Sequence, residues 1–175
     1  MKKHLISLSV VLLLLTVKAW SCSCNYQGPF LQMAPATPLV ALVKVTKYLT
    51  FQDIYAVKTP MSMQVEIIEV YKGSENRKKI IVWGDPGNLC RPYLSAFKED
   101  QYYVIAFSPG RTKGGHQNEL ATDYTISSCG AYWLTVDFAQ KTASGDIDSK
   151  DRQSQTWSLS ALKSRFDPSV NDKAN

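Results

Sequence analysis

An all-β domain closed by one short C-terminal helix is the fold this sequence predicts, and three observations predict it. Apolar runs rich in β-branched and aromatic residues recur along the middle of the chain, with turn residues between them. No helical pattern separates these runs, which argues for a small barrel or sandwich rather than alternating strands and helices. Past the last run, Trp157, Leu159, Leu162 and Phe166 fall at partly helical spacing, and Asp167-Pro168 stops the helix they predict. A length of 175 residues suits one domain with a sizeable core.

Leu39 to Val45 is the first strand-like run. Met63 to Tyr71 alternates, Val65 and Ile67 against Gln64 and Glu66, and the alternation then shifts to Ile68 and Val70. Such a phase change predicts a bulge near Ile67. Tyr71-Lys72-Gly73 ends that strand, and Lys79 to Trp83 follows a charged turn, Glu75-Asn76-Arg77-Lys78-Lys79, that reads as a solvated hairpin. Gln101 to Ser108, Tyr124 to Ser128 and Trp133 to Phe138 are the remaining candidates, giving five or six strands. Residues 167–175 form a polar tail. There is no repeat, internal linker or N-x-[ST] sequon.

The N-terminus reads as a secretory leader. Lys2-Lys3-His4 is a basic start, Leu5 to Val17 is apolar, and Ala19-Trp20-Ser21 places small residues at −3 and −1 of a cleavage site before Cys22. The apolar run is about 13 residues, short of the roughly 20 that span a bilayer. A lipoprotein signal normally has Leu at −3 and a small residue at −2, whereas these positions hold Ala19 and Trp20. The expectation is therefore a signal peptide over 1–21, a domain over 22–166, no membrane span, and a secreted or periplasmic product. Without its leader the chain carries 17 basic and 15 acidic residues, too even a balance to mark a nucleic-acid partner. His116 is then the one histidine, which excludes a site built of several.

Export gives the four cysteines, Cys22, Cys24, Cys90 and Cys129, an oxidising destination, so two disulfides are expected. Bridging Cys22 to Cys24 would close a strained small ring, so each should pair with a distant cysteine. Residues i and i+2 of an extended segment point to one side, so Cys22 and Cys24 can staple one N-terminal segment to two parts of the core. A tetrathiolate zinc site is disfavoured by the compartment and by C-x-C spacing tighter than the usual one.

Other conspicuous groups read as structural. Gly110 to Asn118, with Arg111, Lys113 and His116, lacks the spacing of a phosphate-binding loop and is expected to be a mobile hairpin loop. Tyr102, Tyr103, Tyr132 and Trp133 could form a stacking platform but are expected in core and rim packing. Asp146, Asp148 and Asp151 lack the loop glycine and distal Glu of a calcium site. No nucleophile–base pair stands out, so no enzyme is expected, and no cofactor.

Taken together, Cys22-Ser23-Cys24 after the leader, the Val40 to Val45 run, and the strand Val65-Glu66-Ile67-Ile68-Glu69-Val70-Tyr71-Lys72-Gly73 resemble the tissue inhibitors of metalloproteinases. So do Tyr102-Tyr103-Val104-Ile105-Ala106 and Thr125-Ile126-Ser127-Ser128-Cys129 with Trp133. The resemblance covers residues 22–138 and implies a five-stranded OB-like Greek-key barrel of the netrin type, with bridges Cys22–Cys90 and Cys24–Cys129. It also implies an inhibitory edge of Cys22, Ser23, Cys24, Asn25, Asn88 and Leu89 on a protein acting as a monomer. In that family the amine and carbonyl of the first residue chelate the catalytic zinc of a target metalloendopeptidase, a part that falls here to Cys22. Ser23 would face the specificity pocket, and Cys24 and Asn25 would continue along the cleft beside Asp85-Pro86-Gly87-Asn88-Leu89. The chain departs from the family in lacking its third disulfide and its second subdomain. A netrin-like binding or adhesion module without zinc chelation is the alternative, and it needs no free terminus before the first cysteine.

Overall fold

A computed structural model describes residues 24–110, 115–149 and 151–167. Its largest feature is a hairpin of two sixteen-residue strands, β1 (Leu39–Ile54) and β2 (Val57–Lys72). Successive register shifts coil this ribbon. One of them is the bulge that the phase change predicts: Leu42 faces Glu69 and Val43 faces Ile67, so Ile68 is the extra residue. Gly73 ends β2 at φ +85°, where a Cβ would lie 2.1 Å from the Pro38 carbonyl oxygen, so only glycine fits.

Three further strands close the barrel. β3 (Lys79–Trp83) runs antiparallel to β2, and β4 (Tyr102–Pro109) runs antiparallel to β1. The two-residue β5 (Tyr124–Thr125) lies parallel to β3 and antiparallel to β4. The circuit β1-β2-β3-β5-β4 therefore returns to β1, giving the five-stranded OB-like Greek-key barrel expected. Val43, Met63, Val65, Val82, Ile105 and Phe107 are fully buried in the core.

Beyond the barrel, β6 (Trp133–Asp137), β7 (Thr142–Gly145) and β8 (Gln155–Ser158) extend the sheet from β4 in antiparallel order. A single turn of helix, α1 (Phe30–Met33), precedes β1, and α2 (Leu159–Ser164) follows β8. Ser158 caps α2, its Oγ accepting the Ala161 N–H at 3.1 Å. Leu162 is fully buried, and the Phe166 ring meets Phe30 edge-on at 6.2 Å. Burying two such side chains contributes about 2–3 kcal/mol each before entropy is charged against it, which fastens the C-terminal end to the N-terminal one.

The sequence reading differs from this in three places. It stops the first strand at Val45 and starts the second at Met63, yet β1 and β2 run on to a turn at Tyr55 and Ala56. It assigns no strand after Phe138, where β7 and β8 lie, and it places Trp157 in the helix rather than in β8. It also gives the fifth strand five residues, of which two are paired as strand. Among the described residues no helix is long and apolar enough to cross a membrane.

Candidate functional site

Residues 24–29 have no regular structure, yet they are tied to the domain at several points. The expected bridge between Cys24 and Cys129 is present, its Cα atoms 5.5 Å apart across a separation of 105 residues. Gln27 N–H donates to the Cys129 carbonyl at 2.7 Å, and Ala131 N–H donates to that of Gly28 at 3.0 Å. Gly130 permits this approach, since a Cβ there would come within 3.1 Å of the Gly28 oxygen. The Tyr26 hydroxyl donates to the Asp146 carboxylate, and the Arg152 guanidinium lies 4.0 Å from the Tyr26 ring centroid. Burial, followed by the bond to Asp146, pushes the Tyr26 phenol up to about 12. At the start of α1, the N–H groups of Phe30 and Leu31 donate to Asp146 and Ile147 carbonyls, each at 2.9 Å. Cys24 and Asn25 themselves are exposed.

A second segment arrives beside the first. Cys90 is disulfide-bonded, and the sulfurs of Cys24, Cys90 and Cys129 all lie within 4.8 Å of one another. This brings the loop that ends at Cys90, with exposed Asn88 and half-buried Leu89, alongside the segment that begins at Cys24. Among the described residues these sulfurs are the one set of three His, Cys, Asp or Glu ligand atoms close enough to share a metal. As bonded sulfurs they offer no thiolate, so they form a covalent staple rather than a ligand set. Cys22 and Ser23, and with them the Cys22–Cys90 bridge and the chelating terminus, lie outside the described residues.

The loop is built on one carboxylate. Asp85 Oδ1 accepts the N–H groups of Gly87, Asn88 and Leu89 at 2.8, 2.9 and 2.7 Å, an Asx arrangement that folds the backbone over its own side chain. Gly87 takes the positive φ of +112° that this turn requires. Asp85 N–H donates to the Pro92 carbonyl at 3.2 Å and closes the stem, while Ser128 N–H donates to the Cys90 carbonyl at 3.0 Å.

Beneath the loop lies a buried polar network that sequence reasoning missed. Arg91 forms two parallel bonds to Glu119, Nη1 to Oε2 at 2.8 Å and Nη2 to Oε1 at 2.9 Å. His116 N–H donates to Glu119 Oε2 at 3.2 Å, and its Nε2 donates to the Gly84 carbonyl at 3.1 Å. Trp83 Nε1 donates to Asp123 Oδ2 at 2.8 Å. The described part of the presumed mobile loop, from Gly115 onward, is thus fixed by polar contacts. No spacing rule could announce them, because every pair but His116–Glu119 joins residues 28 to 40 apart in sequence.

The other candidates fall into structural parts. Tyr103 and Tyr132 are buried, Tyr102 stacks on Phe138 at 4.3 Å, and Trp133 packs against Phe97 at 5.3 Å, so the four rings form no common platform. Asp146 is engaged by Tyr26. The charged turn is fastened rather than merely solvated, for Glu75 binds both Arg77 at 2.7 Å and the Tyr124 hydroxyl at 2.8 Å. In comparisons with known proteins, no family model matches the chain and no curated protein does.

Proposed function

We propose that the protein is an exported inhibitor of zinc metalloendopeptidases, working in the manner of the tissue inhibitors of metalloproteinases that its sequence resembles. The observation that carries this reading is the juxtaposition of two covalently stapled segments, exposed Cys24-Asn25 and the loop of exposed Asn88 and half-buried Leu89, on an OB-like barrel. Cleavage before Cys22 would put a free amine and its carbonyl two residues from the staple. A metalloprotease zinc keeps one position open for water, which such a chelating pair fills. The chain supplies no metal of its own; the zinc belongs to the target.

Rigidity is the physical basis of affinity. A free peptide loses conformational freedom when it enters a protease cleft, and an edge already ordered avoids most of that cost. Here the ordering comes from the Cys24–Cys129 bridge, the Tyr26–Asp146 bond and the Asp85 turn. Carbamylating the amine of Cys22 tests the proposal: the native protein should inhibit at least one zinc endopeptidase, and the carbamylated protein none. Native protein that inhibits none of a broad panel would favour the netrin-like binding module instead.

A further inference from the structure

We propose that Arg91 and Glu119 are positioning residues: their buried two-point ion pair, joined by His116, sets where the Asp85–Cys90 loop stands against Cys24. The purpose of that edge rests on the inhibitor reading, but the positioning itself does not.

The geometry confines the loop at both ends. On its incoming side, Gly84 N–H donates to Met61 O at 3.0 Å, and the Gly84 carbonyl accepts from His116 Nε2. On its outgoing side, the guanidinium of Arg91 is fixed by Glu119, with the two side chains 6% and 0% exposed. Asp85 N–H joins the two sides through Pro92 O. His116 and Glu119 are three residues apart and bonded to one another, so a single short segment holds both ends of the loop. Among the described residues the backbone N–H groups of the loop's tip, residues 87–89, are bonded by its own Asp85 carboxylate, and the disulfide of Cys90 ties the residue that follows the tip. With that disulfide in place, the direction of the tip is set by how the two stems are clamped from below.

Energetics separate this role from ordinary stabilisation. Replacing a buried ion pair by neutral side chains of similar size is often neutral or stabilising for a fold, because desolvation offsets the attraction. What a neutral pair loses is direction. The planar guanidinium meets a carboxylate along two parallel bonds, which fixes the orientation of both side chains and of the backbone behind them.

The test uses the oxidised protein with both disulfides formed, comparing wild type with the double variant Arg91→Met/Glu119→Gln. Amide hydrogen exchange at Gly87, Asn88 and Leu89 should accelerate by about tenfold or more while the thermal midpoint stays near that of wild type. A merely structural pair would instead lower the midpoint and leave those amides no more exposed than others in the domain. Unchanged exchange at the three amides in a folded double variant would overturn the proposal. Should the double variant not fold, Arg91→Lys keeps the charge but loses the second bond, and the same amides must then exchange faster. Glu119→Asp, which keeps the two-point geometry with a shorter reach, should partly rescue protection relative to Glu119→Gln. Inhibition of a zinc endopeptidase is measured on the same samples and should weaken by about tenfold with the loosened loop. If wild type inhibits no protease while the amides respond as stated, the positioning holds and the inhibitor reading falls.

Discussion

Glu75 shows how one side chain can carry a turn. Its carboxylate binds Arg77 through Nη2 at 2.7 Å, accepts the Arg77 backbone N–H, and accepts the Tyr124 hydroxyl, so the β2–β3 turn is tied to β5. The Arg77 guanidinium, more than any other neighbour, holds this carboxyl at about 2, well below its ordinary 4.5. A lowered folded-state value means that Glu75 stabilises the fold fully above pH 4.5 and loses that contribution as pH falls through about 2. Glu75→Gln should therefore be less stable than wild type at neutral pH, with the difference shrinking between those two values. Parallel denaturation curves for the two proteins across that window would contradict it. Tyr26→Phe acts on the N-terminal segment instead, where the hydroxyl is bonded to Asp146. Removing a hydroxyl bonded to a partly buried carboxylate should cost about 1–3 kcal/mol, read as a shift in the urea midpoint with the slope unchanged.

The β1–β2 hairpin is the element the sequence conceals best. Leu39 through Val43 are buried and legible as a strand, whereas Thr46 to Ile54 are half-buried or exposed, and the buried run of β2 beside them, Thr59 to Ser62, holds a proline and two hydroxyls and shows no apolar alternation. Alternation exists only where one face is covered, and the register shifts break what remains of it. Its turn is also chemically disguised. Tyr55 and Ala56 take φ +50° and +63°, the geometry that Asn-Gly ordinarily announces. A left-handed backbone costs an ordinary L residue about 1–2 kcal/mol, so the double variant Tyr55→Asn/Ala56→Gly should be more stable than wild type by about that much. Equal or lower stability would show that Tyr55, 91% exposed, makes contacts that this account omits. The strands β7 and β8 were hidden for a different reason. They are four residues each and, Trp157 apart, hold small or polar side chains, so the pairing of β7 with β6 and of β8 with β7, rather than any pattern of their own, makes them strands.

At the scale of the whole molecule, the barrel was readable because its strands bury apolar residues in period, whereas the Cys24–Cys129 pairing came only from the family resemblance, since the C-x-C spacing alone leaves two pairings open. The polar clamp of Arg91, Glu119 and His116 was not readable, since buried ion pairs form between segments that only the fold brings together. The staple itself should matter in proportion to the chain it spans. With its cysteines 105 positions apart, removing it by Cys24→Ser/Cys129→Ser should cost about 4–5 kcal/mol in the chain-entropy treatment, and calorimetry checks this. A smaller loss would mean that Tyr26, Phe30 and Leu31 hold the N-terminal segment without it. The central claim, that this rigid edge serves to deliver a free amine to a protease zinc, is tested most directly by adding one alanine before Cys22. Inhibition of a panel of zinc endopeptidases is then compared for the native and extended forms, both with disulfides intact. The account predicts that the native form inhibits and the extended form does not; an extended form that inhibits as well as the native one would contradict chelation by Cys22.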